Sequence, residues 1–509
     1  MDSSISSLLQ QAQLAHQRGQ LNLAEQAYTQ VLAIDAQQFD ALHLLGVIAQ
    51  QRADYETAMN FYGKALKVNS TQARLFANLG ACLHQLHQHT EALEAVEQAL
   101  RLDARYVLAY IVRGKILRSL QRFQMAMQSF ESAMELQIDA VDAYYERGLC
   151  LQELTMHQEA VLDFDDALHF AKRANLPLGR LHFARGFSLQ ALHQLDEAAL
   201  SYRAALDDPS TQTKALFNLG LLAASQNDFG QALEWLERTN MVDAQFMRAH
   251  LHRGHVLRKL DRIDEAALAY QRAAECGLAP DQLTFLLASL GWQDSPVSAP
   301  ADYVRELFDH YAEHFDQHLS EQLDYQLPNV LSQLFARYLP RTCQRILDLG
   351  CGTGLSGAQL RPYTQYLIGV DLSEKMLALA AQRDIYDELH RSDLTLYLRN
   401  QRSSDHRTDA ILLADVLVYV GELNRLFDAS HAQLKAGGLL FFTVELDQQE
   451  EGGSMAYRLQ ASQRYAHSES YLRELAAAQN WEVLEMNQHA LRREGEDMLN
   501  SLVCVWRKR

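Results

Sequence analysis

Through the first half of the chain, small and apolar positions return on a fixed interval. Gly46 in "LLGVIA", Gly80 in "NLGACL", Gly114 in "VRGKIL" and Gly148 in "ERGLCL" follow one another at 34 residues, and Gly186, Gly220 and Gly254 continue at steps of 38, 34 and 34. Twelve residues after each glycine stands an alanine: Ala58, Ala92, Ala126, Ala160, Ala198, Ala232 and Ala266. Ala12 and Ala24 fit an earlier, weaker unit, which makes about eight in all. Such a period predicts stacked helix pairs, each too small to bury its apolar face alone. Small residues at the two phased places let paired helices approach closely. Tyr62, Phe130, Phe164, Tyr202 and Tyr270, four residues past their alanines, fill the gap beside them. The one longer step coincides with the extra segment "FAKRANLPLGR" at 170–180. After residue 302 the period is lost. Residues 302–339 carry apolar positions at helical spacing, and then short apolar runs ("RILDLG", "YLIGVDLS", "DAILLADVLVYV", "LLFFTVE") alternate with amphipathic stretches. Strand alternating with helix predicts a mostly parallel sheet covered on both faces, an α/β doubly wound domain. The closing stretch 481–509 reads as two strands joined by a charged turn. Between the halves, "GWQDSPVSAPAD" (291–302) holds two of the chain's 8 prolines and reads as a linker. The domains expected are 1–290, 291–302 and 303–509.

The phased glycines and alanines resemble tetratricopeptide repeats across about residues 5–275. That resemblance implies an all-α superhelix whose inner wall is lined by the first helix of each pair. A groove of this kind takes an extended protein or peptide, with side-chain amides for its backbone and aromatics for its apolar side chains. The positions it turns inward are Asn78, Lys115, Arg118, Tyr145, Phe183, Phe187, Phe217, Asn218, His255, Arg258 and Lys259. The proline often found near the end of such a repeat is missing from most units; Ala36, Ser70, Ala104 and Ile138 fall there.

Composition adds exclusions. A formal charge of −18 sets the molecule as a whole against nucleic acid and anionic membrane. The six cysteines are scattered with no C-x-x-C pair, no signal peptide is recognisable, and no apolar run reaches the roughly 18 residues of a membrane helix. The expectation is a cytoplasmic chain without metal, membrane insertion or nucleic-acid partner.

The chemistry concentrates in "ILDLGCGTGLSG", residues 346–357. Gly352, Gly354 and Gly357 spell G-x-G-x-x-G, a dinucleotide fingerprint, with Asp371 beyond as the ribose acid. Moving the frame back two residues gives Gly350, Gly352 and Gly354 behind Asp348. A pyrophosphate is served by backbone N–H groups and poorly by a carboxylate at the strand end. S-adenosyl-L-methionine has no phosphate and carries a sulfonium and an amino group, for which Asp348 is favourable.

In this second frame the chain resembles the class I S-adenosylmethionine-dependent methyltransferases over about residues 303–509, a Rossmann-like fold. The resemblance rests on "ILDLGCGTG", "GVDLSEKML", "RSDL", "ILLADVLVYV" and "LKAGGLLFFTVE" in that order. It implies a cofactor site of Asp348, Gly350, Cys351, Gly352, Gly354, Asp371, Leu372, Ser373, Met376, Asp393, Leu394 and Asp415. Asp371 would take the ribose hydroxyls and Asp393 would face the adenine. "LFDHYAEHFDQHL" and "QRYAHSESYL" are also similar to bacterial members that carry repeats in front of the catalytic domain, where the leading helices close over the cofactor. Tyr311, Phe315 and His318 are then lid candidates, and Tyr465 and His467 lie on the substrate side.

Methyl transfer is an in-line displacement, so positioning and exclusion of water matter most. A neutral amine or phenol must also lose a proton, which His318, Tyr419, Glu445 or His467 could accept; with Tyr311, the histidines and Tyr419 form the catalytic set. Three functions follow: a methyltransferase whose repeats recruit a protein or peptide; a methyltransferase for a quinone, lipid or secondary-metabolite precursor, with the repeats used for assembly; and a non-catalytic repeat adaptor.

Overall fold

The computed structural model describes residues 2–312, 315–316, 325–401, 407–447, 456–494 and 497–509, and their side chains except at 2–4, 492–494 and 497–499. The chain forms two compact units, Met1–Ala244 and Gln245–Arg509.

The first unit is a superhelix of consecutive helix pairs, from Asp2–Gln17 with Leu21–Ile34 to Pro209–Ser225 with Phe229–Val242. The phased glycines owe their place to packing. A Cβ built on Gly46 would lie 2.4 Å from the Tyr62 ring, one on Gly114 2.4 Å from Phe130, one on Gly148 2.6 Å from Phe164 and one on Gly186 2.8 Å from Tyr202. Where the aromatic is absent, Val96 and Leu236 take its place against Gly80 and Gly220. Each of these aromatics is fully buried, which stabilises by about 1.5–3 kcal/mol per side chain. The phased alanines, from Ala58 to Ala266, are all 0% exposed.

The turn inside each pair was not foreseen. Seven residues past each glycine of this unit, Ala53, His87, Gln121, Thr155, His193 and Asn227 adopt left-handed backbone, with φ between 57° and 61°. The turn geometry therefore repeats without glycine or proline to favour it. The extra segment at 170–180 lengthens one helix to His157–Arg173 and adds a further left-handed residue, Asn175, before the next pair.

The second unit begins with the last helix pair, Met247–Lys259 and Ile263–Glu275, followed by Pro280–Ser289 and Ala301–Tyr311. Its sheet comprises β1 (Cys343–Leu349), β2 (Thr364–Asp371), β3 (Glu388–Arg391), β4 (Thr408–Leu413), β5 (Leu434–Leu446), β6 (Tyr457–Leu459), β7 (Tyr465–His467), β8 (Trp481–Glu494) and β9 (Asp497–Lys508). Strands β3, β2, β1, β4 and β5 lie side by side and parallel. β9 runs antiparallel along β5 and pairs with β8, while the short β6–β7 ribbon joins the far end of β5 through Glu445 and Leu446. The middle strands are buried on both faces, hence their continuous apolar runs. One face packs under Leu327–Tyr338 through Leu331, Phe335 and Phe441. The other packs Phe427, Phe442 and Trp506, with Phe442 and Trp506 edge to face at 4.9 Å. The register aligns the carboxyl ends of β1, β2 and β4, bringing Asp348, Asp371 and the turn after Leu413 to one edge.

Candidate active site

At the end of β1 the chain must reverse sharply, and Gly350, Gly352 and Gly354 do so with φ of 75°, 52° and 89°. These are conformations that a side chain disfavours. The N–H groups of Gly350 and Cys351 both reach the Val370 carbonyl, at 2.7 and 3.1 Å, which locks the loop to β2. Gly350 also faces Val416, whose Cγ2 would be 2.2 Å from an added Cβ. Among the described residues, the nearest atom to a Cβ added at Gly352 is Phe315 Cε1, at 4.0 Å.

Two carboxylates flank this loop. Asp348 is 1% exposed and accepts the Tyr386 hydroxyl at 2.7 Å. Burial raises its pKa to about 7; the Tyr386 bond works against this and the charge on Asp371 adds to it. Asp371 accepts the Gly352 N–H at Oδ2 and the Ser373 N–H at Oδ1, both 2.9 Å. Burial raises its pKa too, opposed by those N–H groups. Cys351 lies beneath the loop, its thiol pushed well above its ordinary value by burial and then by Asp348 and Asp371, so it acts as a small packed group.

The remaining expected positions gather at the same edge. Ser373 caps Glu374–Gln382 by accepting the Met376 N–H, with Leu372 before it and Met376 buried behind it. Asp393 caps Leu394–Asn400 by accepting the Leu396 N–H at 2.9 Å, and Leu394 packs on the sheet's core. Asp415 has a left-handed φ of 57° and donates its N–H to Thr443 Oγ1 at 2.8 Å, which fixes the corner after β4.

Of the candidates for the chemical step, Tyr419 lies in the short 3-10 helix Leu417–Tyr419, edge to face with Phe308 at 5.5 Å. Tyr311 ends Ala301–Tyr311 and meets Phe315 edge-on at 5.4 Å. His318 lies outside the described residues. His467 is fully enclosed, with Nε2 3.0 Å from the Gly421 carbonyl, and burial lowers its pKa to about 4. Tyr465 is equally enclosed and donates to the Pro296 carbonyl, and Glu445 is buried against Arg464 at 3.2 Å. These three side chains are buried in the β5–β7 edge.

Several residues of the site escaped the sequence reading. Asp309 accepts the Ser373 hydroxyl at 2.6 Å, and Asp316 accepts the Thr353 hydroxyl at 2.5 Å and pairs with Arg383. Arg383 also donates to the Thr353 carbonyl at 2.6 Å. These bonds tie the leading segment to the glycine loop. Gly357, the third glycine of the dinucleotide frame, is small because the Tyr386 hydroxyl would sit 2.0 Å from its Cβ. The dense acids of "RELFDHYAEHFDQHL" were the available signal for Asp309 and Asp316; Tyr386 and Arg383 had none.

A parallel sheet with an antiparallel strand beside β5, and a glycine turn between two strand-end acids, fit a methyltransferase fold. The comparisons agree. Residues 319–486 match the family described as methyltransferase domain, and residues 39–72, 83–141 and 176–240 match tetratricopeptide repeat families. The chain thus carries a segment similar to methyltransferase domains behind segments similar to tetratricopeptide repeats. A demethylmenaquinone methyltransferase of Symbiobacterium thermophilum is 30% identical over 155 residues, covering 29% of this chain and 61% of that protein. A ubiquinone biosynthesis O-methyltransferase of Coxiella burnetii is 28% identical over 101 residues, 20% of this chain and 43% of that protein. The chain therefore spans less than two thirds of each. Among solved structures, a thermophilic tetratricopeptide protein of Thermus thermophilus covers 35% of this chain and 94% of its own, at 20% identity and a TM-score of 0.32. Among the described residues no helix is long and apolar enough to cross a membrane, and no group of three or more His, Cys, Asp or Glu side chains is set to hold a metal.

Proposed function

We propose that the chain is an S-adenosyl-L-methionine-dependent methyltransferase whose repeats recruit a protein or peptide substrate. The observation that carries the reading is the pair of carboxylates around the glycine loop, Asp348 buried and Asp371 partly exposed, each held above its ordinary pKa first by burial. The residues fit a cationic donor and not a pyrophosphate. A carboxylate whose burial is uncompensated gains from a cation and loses from an anion. S-adenosyl-L-methionine supplies a methyl carbon already activated by a sulfonium.

The chain's own residues supply position. Asp371, oriented by two backbone N–H groups, keeps lone pairs on both oxygens for a pair of ribose hydroxyls. Asp348 acts from below the loop through its charge, held in place by Tyr386. Phe308, Phe315 and Tyr311 form an aromatic group near Gly352, suited to keeping water from the reacting atoms. Asp393 and Asp415 extend the acidic rim. Tyr419 is the described candidate best situated to meet an acceptor.

The test is label transfer. Full-length protein and methyl-labelled S-adenosyl-L-methionine are added to a cell extract, with Asp371→Ala as control. Control-sensitive label in acid-precipitable protein is the expected outcome; no control-sensitive label in any fraction refutes methyl transfer. The names of the two curated relatives favour a second reading, a quinone-like small acceptor with the repeats serving assembly. Label confined to small molecules selects it.

A further inference from the structure

The helix pair Ala73–Gln85 and His89–Leu102 departs from the repeat pattern at its turn. Four residues past their glycines, three other units carry Gln50, Gln152 and Gln190, and two of these accept the hydroxyls of Tyr62 and Tyr202. This unit has His84 there, with Val96 against its glycine instead of a tyrosine, so no hydroxyl calls for a partner. Nine residues past the glycine, Tyr55, Phe123, Leu195, Phe229 and Ile263 are apolar or aromatic in five other units, whereas this unit has His89. The unit of Gly148 also has a histidine at that place, His157, but pairs it in sequence with Gln152. His87 stands at the corner between the two helices with φ of 60°, which completes H-x-x-H-x-H over 84–89. The other units build the same turn without this set of imidazoles.

The three rings gather. Nδ1 of His84 lies 3.2 Å from Nδ1 of His89, with ring centroids 5.2 Å apart, and the His87 ring stands edge-on to that of His89 at 5.9 Å. His84 and His89 are half-buried and His87 is exposed, so the cluster lies at a surface turn. Two neutral imidazoles in this arrangement are joined by one N–H set against one lone pair. Two zinc–nitrogen bonds of about 2.0–2.1 Å at the tetrahedral angle span about 3.3–3.4 Å between their nitrogens. An ion in place of the bridging proton therefore requires the rings to part only slightly, and that proton moves to Nε2 of its own ring.

The charge state suits a ligand. Burial first, and then His89, Lys115, Arg118 and His87, hold the His84 pKa down at about 4, which leaves the ring neutral, as a metal ligand must be. Lys115 and Arg118 oppose a further cation, but both are answered by carboxylates: Glu146 lies 3.1 and 3.2 Å from them, and Glu153 lies 3.0 Å from Arg118.

We propose that His84 and His89 bind one divalent transition-metal ion of the kind that favours imidazole, zinc first. Two ligands are in position; among the described residues no third side chain is already set beside them. His87, exposed on the turn itself, supplies the third by turning its ring inward, and water completes the tetrahedron. The ion clips the last turn of one helix to the first turn of the next, and so stabilises this repeat unit by mass action. The site belongs to the repeats and stands whether or not the glycine loop takes a methyl donor.

Zinc titrated calorimetrically into the full-length chain, free of any affinity tag and stripped with a chelator, tests it. Loss even of a ligand's outer partner costs about 10–100-fold in metal affinity, so the native protein is expected to bind one equivalent at least about tenfold more tightly than His84→Gln/His89→Tyr. These replacements are the residues that the preceding unit carries as Gln50 and Tyr55, which preserves the fold. His87→Asn, taking the residue that another unit carries as Asn227, should lose a smaller part of the affinity. Zinc should raise the urea midpoint of the native chain and leave that of the double variant in place. A native chain that binds no zinc overturns the proposal without recourse to a variant, as does equal affinity, or an equal shift of midpoint, in the native chain and the double variant. Cobalt(II) separates a built site from an adventitious ion only. Intense visible absorption of a tetrahedral ion, lost in the double variant, supports the site, and the weak absorption of an octahedral ion refutes it.

Discussion

Two glycines of one repeat unit make a controlled comparison. Gly46 and Gly63 both lie inside helices, Phe39–Gln51 and Tyr55–Val68. A Cβ on Gly63 meets nothing within 4 Å, whereas one on Gly46 falls 2.4 and 2.6 Å from Cε1 and Cδ1 of Tyr62. That ring is 0% exposed, and its hydroxyl is pinned to Gln50 at 2.7 Å, so it cannot swing aside. Both substitutions to alanine gain helix propensity, about 0.8–1 kcal/mol. Gly63→Ala keeps that gain. Gly46→Ala must also meet an overpacking cost of about 1–3 kcal/mol. The two variants should therefore differ by about 1–3 kcal/mol, with Gly46→Ala the less stable. Urea unfolding of the full-length chain, followed by far-ultraviolet circular dichroism, reads the difference as a shift of midpoint at constant slope. In a Tyr62→Ala background the steric cost should vanish and Gly46→Ala should become stabilising, a coupling that a double-mutant cycle measures. Equal midpoints for the two single variants, or the same cost with and without the tyrosine ring, would refute the packing account of the 34-residue period.

Two further outcomes follow from backbone and charge. Ala53 adopts φ of 59° with only a Cβ to lose, so Ala53→Gly should raise the same urea midpoint by the equivalent of about 1 kcal/mol, where glycine in a regular helix would lower it. Asp348 titrates near 7 in the unliganded protein, raised from its ordinary value, so that protein gains from protonation at low pH and loses this gain as pH climbs through about 7. A cationic donor favours the ionised form, and S-adenosyl-L-methionine affinity should fall about fivefold from pH 7 to pH 6. Asp348→Asn should bind weakly with no such slope, and a native profile flat between pH 6 and 8 would show that this carboxylate does not sense the donor.

The period was legible because the constraint behind it is local and repeated. An aromatic ring sixteen residues downstream permits only glycine at Gly46, Gly114, Gly148, Gly186 and Gly254, and the letters record this each time. The turns were not legible, because a left-handed residue can be Ala53, His87 or Thr155 when stacking on both sides imposes the conformation. The α/β sheet could be read from its doubly buried apolar strands. The β6–β7 ribbon could not: its strands span three residues each and owe their pairing to the end of β5, far away in sequence.

The same distinction divides the two sides of the site. The glycine-loop side is made largely of backbone: three glycines with positive φ, N–H groups held by the Val370 carbonyl, and acids at strand ends that the parallel register aligns. Such features must be written contiguously, because one loop carries them. The aromatic side chains near it come from separate segments: Phe308 on the leading helix, Phe315 beyond that helix and Tyr419 after β4. No spacing rule connects them, and each alone passes for a surface or core residue.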